Sequence, residues 1–301
     1  MLGVTILGNN SAVPAFERHP TSQVLTTPNR SFMIDCGEGT QIQLIRYKIR
    51  RTRISHIFIS HLHGDHYFGL VGLLNSFALL GRQQELHIVA PPALQEVLAL
   101  QFKLADTRMP YPLHFHAIQH PGYLMTVDDI EISCFKTDHR IECFGFVFKE
   151  QKKPRRIDPE AVKAHRIPYH WFENLKQGHD YTAPDGALIK NEQLTHAAPR
   201  GNTYAFCADT RYDESFIPAI QGADMIYHEA TYLDNFAAQA RNRFHSTSKE
   251  AALIAQKAQV KKLLIGHFSS RYDVLDAFET EAREIFPNTD LALEGVCYRL
   301  P

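Results

Sequence analysis

The sequence predicts an α/β fold in which helices cover layered β-sheets, and three observations support this. Short apolar segments rich in β-branched and aromatic residues recur along the chain, as in GVTILG and SFMIDC, and such segments are typical of buried strands. Amphipathic helical patterns lie between them. The chain has 301 residues, of which 44% are hydrophobic, so it is long enough to bury a large core.

The predicted elements alternate from one end of the sequence to the other. The predicted strands are GVTILG, SFMIDC, ISHIFIS, ELHIVA, DIEISCFKT, CFGFVFKE, NTYAFCAD, ADMIYHEA, KKLLIGHF and LALEG. The predicted helices cover residues 38–47, 68–80, 93–102, 248–259 and 274–286. The fourth helix follows TSKE, which fits a capping box, and the last has an apolar face that includes Val274. Helices and strands mixed over the whole length favour layers of helices on sheets.

Residues 151–200 depart from this pattern. The stretch is polar, rich in proline and contains the only tryptophan, Trp171. Loops longer than about 15 residues without structure of their own are uncommon in compact domains. We interpret the stretch as an insertion that projects from the main domain, and edge elements that belong to the core are the alternative.

Composition argues against several classes of protein. No apolar run reaches the ~18 residues that a membrane-spanning helix needs, and the N-terminus lacks the pattern of a signal peptide. The five cysteines show no CxxC pairing, which argues against a disulfide scaffold or a cysteine zinc site and favours the reducing cytoplasm. The net charge is −1, so any case for nucleic-acid binding rests on local basic patches.

The segment HLHGDH concentrates metal-ligand side chains at a predicted strand-to-helix corner. His61 and His63 alternate on one side of the extended backbone, and Gly64 allows a tight turn. Asp65 and His66 then open the helix. A set of histidine and aspartate without cysteine suits a catalytic divalent ion that keeps water bound. Three protein ligands already nearly complete the coordination of such an ion. Four ligands therefore predict two ions, whose remaining ligands come from other segments of the chain.

Three further candidates stand at the ends of predicted strands. They are His139 after CFKTD, Asp209 after YAFCA and His267 after LLIG. The carboxyl ends of strands are where α/β folds usually place their chemistry. Any one of them alone is more simply a turn residue or a helix cap, but the three together with HLHGDH predict one site.

This combination resembles the metallo-β-lactamase superfamily, whose signature is HxHxDH followed by a distant histidine, a bridging aspartate and a final histidine. The resemblance implies one domain over residues 1–301, a four-layer αβ/βα sandwich (metallo-β-lactamase fold) with an inserted exosite arm at 151–200. It also implies two divalent metal ions, most simply zinc, with manganese as an alternative. The implied ligands are His61, His63 and His139 for one ion, Asp65, His66 and His267 for the other, and Asp209 for both.

Three other segments resemble the ribonuclease Z family, which processes the 3′ end of transfer RNA. They are FMIDCGEGTQIQL at 32–44, YHEATY at 227–232, similar to the family's HEAT motif, and HSTS at 245–248, similar to its HST motif. The resemblance implies a cytoplasmic, zinc-dependent endoribonuclease that removes the 3′ trailer from precursor tRNA. The tRNA would keep a 3′-hydroxyl and the trailer a 5′-phosphate. A homodimer is implied by the family alone.

The family also suggests how the tRNA is held. Its exosite arm occupies the place of residues 151–200, between the strands that carry His139 and Asp209. Each Lys or Arg that neutralises a phosphate contributes to affinity, although basic runs are more often solvated surface. The basic residues are Lys149, Lys152, Lys153, Arg155 and Arg156, with a second cluster, RYKIRRTR, at 46–53.

Two segments differ from the family pattern. In the arm, Tyr169, His170 and Trp171 replace a glycine-proline motif, and their rings could stack on bases or pack the arm. The family's PxKxRN loop reads PAFERH here, with Phe16 in the lysine position and His19 in the asparagine position. Discrimination against tRNA that already carries CCA is therefore left open.

The resemblance also assigns catalytic roles. Asp65 is the expected proton acceptor besides being a ligand, and His245 is the candidate that protonates the leaving oxygen or stabilises the phosphorane. Glu229 would orient His245, as carboxylates often orient imidazoles, although a neighbour of a helix N-cap is the simpler alternative for His245. Two ions would lower the pKa of a shared water toward neutrality.

Two other functions remain open at this stage. The first is a different phosphodiesterase, or a lactonase, of the same fold, because a fold alone does not choose the substrate. The second is a non-catalytic RNA-binding scaffold, which the seven retained ligand positions disfavour.

Overall fold

A computed structural model describes residues 2–151, 153–198 and 200–300 of the chain. Among these residues the strands are β1 (Gly3–Gly8), β2 (Ser22–Thr26), β3 (Ser31–Cys36), β4 (Ile54–Phe58), β5 (Leu86–Ala90), β6 (Leu113–Ala117), β7 (Gly122–Val127), β8 (Ile130–Lys136), β9 (Phe144–Glu150), β10 (Arg156–Ile157), β11 (Tyr181–Thr182), β12 (Leu188–Ile189), β13 (Thr195–His196), β14 (Thr203–Cys207), β15 (Met225–Glu229), β16 (Leu263–Gly266), β17 (Thr289–Leu291) and β18 (Cys297–Arg299). The α-helices are α1 (Thr40–Arg46), α2 (Gly64–Tyr67), α3 (Leu70–Leu79), α4 (Ala93–Leu104), α5 (Pro159–Ala164), α6 (Phe172–Lys176), α7 (Asn191–Leu194), α8 (Ile217–Ile220), α9 (Ala237–Asn242), α10 (Ser248–Lys257) and α11 (Asp276–Arg283).

Two large sheets dominate the described residues. Sheet 1 has the strand order β18-β1-β2-β3-β4-β5-β6, and sheet 2 has the order β17-β16-β15-β14-β9-β8-β7. In sheet 1 the strands from β3 to β6 are parallel, whereas β18, β1, β2 and β3 pair antiparallel. In sheet 2 the strands from β14 to β17 are parallel. Parallel strands are usually covered on both faces, which explains the apolar runs of the predicted strands.

Aromatic side chains fill the space between the two sheets. Phe58 of sheet 1 contacts Phe146 and Phe148 of sheet 2, with ring centroids 5.4 and 5.2 Å apart. Phe32 stacks on Phe148 at 5.7 Å. Aromatic pairs at these spacings are favourable beyond the apolar area that they bury.

Helices cover the other face of each sheet. Side chains of α1, α3 and α4 pack on sheet 1, and those of α10 and α11 pack on sheet 2. Helix α10 begins with the predicted capping box, in which the Thr247 hydroxyl accepts from the Glu250 amide and the Glu250 side chain accepts from the Thr247 amide. Two helical layers outside two sheets make the four-layer αβ/βα sandwich that the family resemblance implies.

A second compact unit contains residues 128–130 and 149–201, whereas the rest of the chain forms the first unit. It has its own small core, and Asp158 caps helix α5 by accepting from two backbone amides. The core side chains are Val162, Ile167, Leu175, Tyr181 and Leu194. The unit includes the stretch 151–200, whose assignment as an exosite arm stays a prediction.

The structure confirms most of the predicted elements and corrects a few. LALEG is not a strand, since β17 ends at Leu291 and the segment continues as a turn. Helix α11 begins at Asp276, so Val274 lies outside it and is exposed. Strands β2, β6, β7 and β18 were not predicted, and neither were the four short strands β10 to β13 of the second unit. No helix in the described part of the chain is long and apolar enough to cross a membrane.

Candidate metal centre

The seven predicted ligand side chains meet at one edge of the sandwich. HLHGDH runs from the end of β4 into α2, with Gly64 as the first residue of that helix. Asp209 follows β14 and His267 follows β16, and because these strands are parallel, their carboxyl ends share an edge. His139 lies three residues beyond the end of β8. The chain therefore brings four separate segments to the same place.

Three imidazoles form the first group of the centre. His61 Nε2 and His139 Nε2 each lie 3.0 Å from His63 Nδ1. Nitrogens bound to one tetrahedral zinc ion at 2.0–2.1 Å are separated by about 3.3 Å. The three ring nitrogens therefore nearly match the spacing of ligands around a single ion.

The second group contains a carboxylate and two imidazoles. Asp65 Oδ2 lies 3.6 Å from His66 Nε2 and 3.3 Å from His267 Nε2. The same oxygen accepts a 2.8 Å hydrogen bond from the Ala12 amide. These donors suit a zinc-type ion as well as the first group does.

Asp209 lies between the two groups and offers one oxygen to each. Its Oδ2 is 3.7 Å from His61 Nε2 and 3.9 Å from His139 Nε2. Its Oδ1 is 3.4 Å from both His66 Nε2 and His267 Nε2. A carboxylate in this orientation can bridge two cations.

Contacts on the far side of the ring orient two of the ligand histidines. His139 Nδ1 donates to the Phe244 carbonyl at 2.9 Å, and His267 Nδ1 lies 2.9 Å from the Thr231 hydroxyl. When Nδ1 carries the proton, the Nε2 lone pair faces the centre, as metal ligation requires. His66 Nε2 is buried with no hydrogen-bond partner among the described residues. This buried, unsatisfied nitrogen fits a metal ligand.

Burial keeps the first group uncharged. It lowers the pKa of His61 well below the ordinary value and lowers the pKa of His63 to about 4, and mutual repulsion with His139 adds to the effect. Burial also lowers the pKa of His139. Neutral imidazole is the form that binds a metal ion, so the first group is in the ligating state at neutral pH.

Both carboxylates of the centre are ionised. Burial disfavours their charge, but His66 and His267 outweigh it and hold the pKa values of Asp65 and Asp209 below the usual range. Burial opposes a charge on His66, but Asp209, Asp65 and Asp35 outweigh it and raise the pKa of His66 well above its ordinary value. A divalent ion held by the second group would therefore displace the proton of His66.

Asp35 is a candidate site residue that the sequence analysis did not single out. It is the second-last residue of β3, inside the motif FMIDCGEG, and its Oδ2 lies 2.7 Å from His66 Nδ1. It also accepts hydrogen bonds from the amide and the hydroxyl of Ser60. Asp35 and His267 both have left-handed backbone, with φ of 56° and 61°. The signal in the sequence was an acidic residue at the end of an apolar strand.

His245 and Glu229 lie together beside the centre. His245 Nδ1 is 2.8 Å from Glu229 Oε1 and 3.9 Å from Asp209 Oδ2. Glu229 is fully buried and accepts hydrogen bonds from Thr231 and from two further backbone amides. Burial opposes the imidazolium, but Glu229 outweighs it and raises the pKa of His245 to about 9. His245 therefore holds a proton at neutral pH.

A cleft of about 520 Å³ opens over these groups. His63, Asp65, His139, Asp209 and His245 are among its lining residues. The size is in the usual range for a substrate site, and a polar group placed in this cleft would contact both the ligands and His245.

Comparison with known proteins gives this geometry a family context. The family model described as Anti-Pycsar protein Apyc1 matches residues 2–154, so that half of the chain belongs to this sequence family. The match includes HLHGDH and His139 but ends before Asp209, His245 and His267. It therefore covers only part of the centre.

Full-length relatives cover the whole centre. The chain is 41% identical to "Ribonuclease Z" of Parabacteroides distasonis over 97% of both chains. It is 40% identical to "Ribonuclease Z" of Bacteroides thetaiotaomicron over 97% of this chain and 93% of the relative. A third "Ribonuclease Z", from Trichodesmium erythraeum, is 39% identical over 99% of this chain and 95% of the relative.

Solved structures share the fold. The short form of human tRNase Z matches with a TM-score of 0.74 and 24% identity, over 99% of both chains. The metallo-β-lactamase fold protein YhfI from Bacillus subtilis matches with a TM-score of 0.70 and 20% identity, over 99% of this chain and 100% of the other. These likenesses show the metallo-β-lactamase fold, and the sequence relatives show that over its full length the chain belongs to the ribonuclease Z family.

Proposed function

We propose that the protein is an endoribonuclease that removes the 3′ trailer from precursor tRNA. Cleavage would leave a 3′-hydroxyl on the tRNA and a 5′-phosphate on the trailer. The observation that carries the proposal is the carboxylate of Asp209, which directs one oxygen to each of two ligand groups. The names of the full-length relatives and of the tRNase Z neighbour support the choice of substrate.

The centre would hold two divalent ions, and zinc is the first choice. The first ion would be held by His61, His63, His139 and Asp209, and the second by Asp65, His66, His267 and Asp209. When bound, such a pair supplies a water of lowered pKa and neutralises the charge of a phosphodiester. Manganese stays an alternative because sites of histidine and aspartate accept several ions.

Side chains of the protein would accept and donate the protons of the reaction. Asp65 stays ionised, so it can accept a proton from the attacking water. His245 carries a proton, and because Nδ1 faces Glu229, Nε2 is the atom that can deliver one to the leaving 3′-oxygen. Glu229 is a positioning residue that fixes the ring through Nδ1. General acid catalysis of this kind contributes about 10²–10⁴-fold in rate.

The second unit would act as the exosite that holds the tRNA. Lys149, Lys153 and Arg156 are exposed there, whereas Lys152 lies outside the described residues. Arg155 instead donates to the Thr195 hydroxyl. Tyr169 is 84% exposed, and its ring lies 5.1 Å from the Phe172 ring between centroids. Exposed ammonium groups and an exposed ring fit phosphates and bases.

The loop PAFERH is held by its own charged residues. Arg18 donates to the carbonyls of Tyr272 and Asp273 and to the Asn10 side chain, and the His19 ring lies 3.1 Å from Glu294. Arg18 is therefore engaged within the protein. We propose that this loop is rigid and does not use Arg18 to read the CCA end.

We also propose a cytoplasmic homodimer. All five cysteines are free thiols, four of them buried, which suits a reducing compartment. Ile42 and Ile45 on α1 and Leu79 and Leu80 at the end of α3 are exposed. Exposed apolar groups on neighbouring helices mark an association surface. Ile45→Asp should convert the dimer to a monomer in analytical ultracentrifugation, and a wild-type protein that sediments as a monomer would contradict the proposal.

One paired assay tests the function. The metal-loaded protein is incubated with a precursor tRNA that carries a 3′ trailer and, separately, with bis(p-nitrophenyl) phosphate. We expect cleavage of the precursor directly after the 3′-oxygen that becomes the tRNA end. Cleavage of the small diester alone would instead favour another phosphodiesterase or a lactonase of the same fold. Intact RNA in a retained complex, with no hydrolysis of either substrate, would favour a non-catalytic RNA-binding scaffold.

A further inference from the structure

A second group of histidines lies on strands β4, β5 and β6 of sheet 1, and the proposed reaction does not use it. His56, His87 and His114 are register partners on three neighbouring parallel strands, so their side chains share one face of the sheet. His116, two residues along β6, and Glu85, two residues before His87, point to the same face. One face of this part of the sheet thus presents four imidazoles and a carboxylate.

The rings form a stacked row that leads from the core to the surface. His56 is buried and stacks on His87 with 4.4 Å between centroids. His87 in turn stacks on His114 at 4.8 Å and on His116 at 5.2 Å. His87 is half-buried, and His114 and His116 are exposed. The outer end of the row is therefore open to solvent.

Glu85 completes a set of metal donors at that outer end. Its Oε2 lies 3.4 Å from His114 Nε2, and its Oε1 lies 3.7 Å from His87 Nε2. The donor atoms of Glu85, His87 and His114 all lie within 4.8 Å of one another. Ligands of one tetrahedral ion are about 3.3 Å apart. Small rotations of the exposed Glu85 and His114 side chains would bring the three donor atoms to this spacing.

The hydrogen bond between His87 and His116 determines which ring nitrogen of His87 carries the free lone pair. His87 Nδ1 lies 2.9 Å from His116 Nε2. In the tautomer in which Nδ1–H donates this bond, the lone pair of His87 is on Nε2, the atom that faces Glu85 and His114. A ligand histidine usually has its other ring nitrogen held in this way. His116 is therefore an orienting residue for His87.

We propose that Glu85, His87 and His114 form a second metal site, on the surface, for a borderline divalent transition ion such as Zn²⁺. Water would fill the remaining positions. Mg²⁺ and Ca²⁺ are poor candidates because two of the three donors are imidazole nitrogens. Strand β6 is the edge of sheet 1, so an ion held by His87 of β5 and His114 of β6 would fasten the edge strand to its neighbour. The site is structural and independent of the cleavage reaction.

Zinc uptake by the full-length protein tests this site. The protein is first saturated with Zn²⁺ at the seven-ligand centre and freed of weakly bound ion, and Zn²⁺ alone is then titrated by calorimetry with metal analysis. We expect wild type to bind one more equivalent than the His87→Gln/His114→Gln variant. His120→Gln, a substitution of another exposed histidine, is the matched control and should bind as wild type does.

Two further measurements make the result decisive. The added equivalent should raise the melting temperature of wild type and of His120→Gln but not of the double variant, and precursor cleavage should be equal in all three. Glu85→Gln, at an exposed position, should weaken the added binding and serves if the double variant folds poorly. Equal uptake by wild type and the double variant, or no added uptake by wild type, would show that the rings only pack against one another.

Discussion

The metal centre and the second unit are built from opposite kinds of environment. In the centre, His61, His66 and Asp209 are buried. Hydrogen-bond partners behind the rings orient four of the five ligand histidines, which are His61, His66, His139 and His267. In the second unit, Lys153 and Tyr169 are exposed. The first environment suits chemistry, which needs fixed geometry, and the second suits a substrate surface that adapts.

This difference predicts which measured quantity each region controls. A substitution in the centre should lower turnover of both the precursor and a small diester. A substitution in the second unit should raise KM for the precursor alone, since a small diester has no bases or distant phosphates to contact there.

His63→Ala should abolish cleavage of both substrates. The substitution removes one of three imidazoles of the first group and leaves His61 and His139 without a third ligand at 3.0 Å. Metal analysis should show a loss of bound ion in parallel. His120→Ala is the control, and full activity of His63→Ala would remove this residue from the proposed ligand set.

His245→Ala should lower turnover of precursor tRNA by about 10²–10⁴-fold, the usual size of general acid catalysis. Bis(p-nitrophenyl) phosphate should be affected much less, because its leaving group departs without a proton. Metal content should stay at the wild-type level, since the ring lies beside the ligands and not among them. An equal loss of metal in this variant and in His63→Ala would make the assigned role of His245 wrong.

Asp35→Asn should weaken metal affinity by about 10–100-fold, as changes behind a ligand histidine usually do. The amide keeps the shape of the side chain but loses the charge that stabilises the Nδ1–H of His66. A chelator competition assay measures the change. Asp106→Asn is the matched control because Asp106 is exposed and also has a positive φ, 45°. Unchanged affinity in Asp35→Asn would show that His66 is oriented by Ser60 alone.

Tyr169→Ala should cost about 1 kcal/mol of precursor binding, the lower end for a base stacked on an aromatic ring, or about fivefold in KM. Turnover of the small diester should not change. Tyr123→Ala, at another exposed tyrosine in β7, controls for the loss of a surface ring. A fall in kcat on both substrates would contradict the division between the two regions.

The sequence was most informative where ligands stand at the ends of apolar strands. HLHGDH and the residues His139, Asp209 and His267 could be predicted to converge because parallel strands end at one edge, and the structure has them together. Their role as ligands stays a proposal. Asp35 could not be predicted, because its contact with His66 spans 31 residues of sequence and an acidic residue at a strand end has many other uses.

Strands with partly exposed side chains were the hardest elements to predict. β6 (LHFHA) and β7 (GYLMTV) are the edge strands of the two sheets, and several of their side chains are exposed, so no apolar run marks them. LALEG has the apolar composition of a strand, yet pairing stops at Leu291 because the chain turns there. The second unit was hard to interpret because the core formed by its described residues has five buried hydrophobic side chains, spread over 33 residues.

The left-handed backbone at His267 has a consequence for any attempt to make this protein more robust. An L-residue held in that conformation costs on the order of 1–3 kcal/mol, and glycine would relieve it. Glycine at that position would also delete an imidazole that faces Asp65 and Asp209. A substitution that raises thermal stability at this residue should therefore lower activity. Selection for heat resistance alone should enrich variants that are folded but inactive.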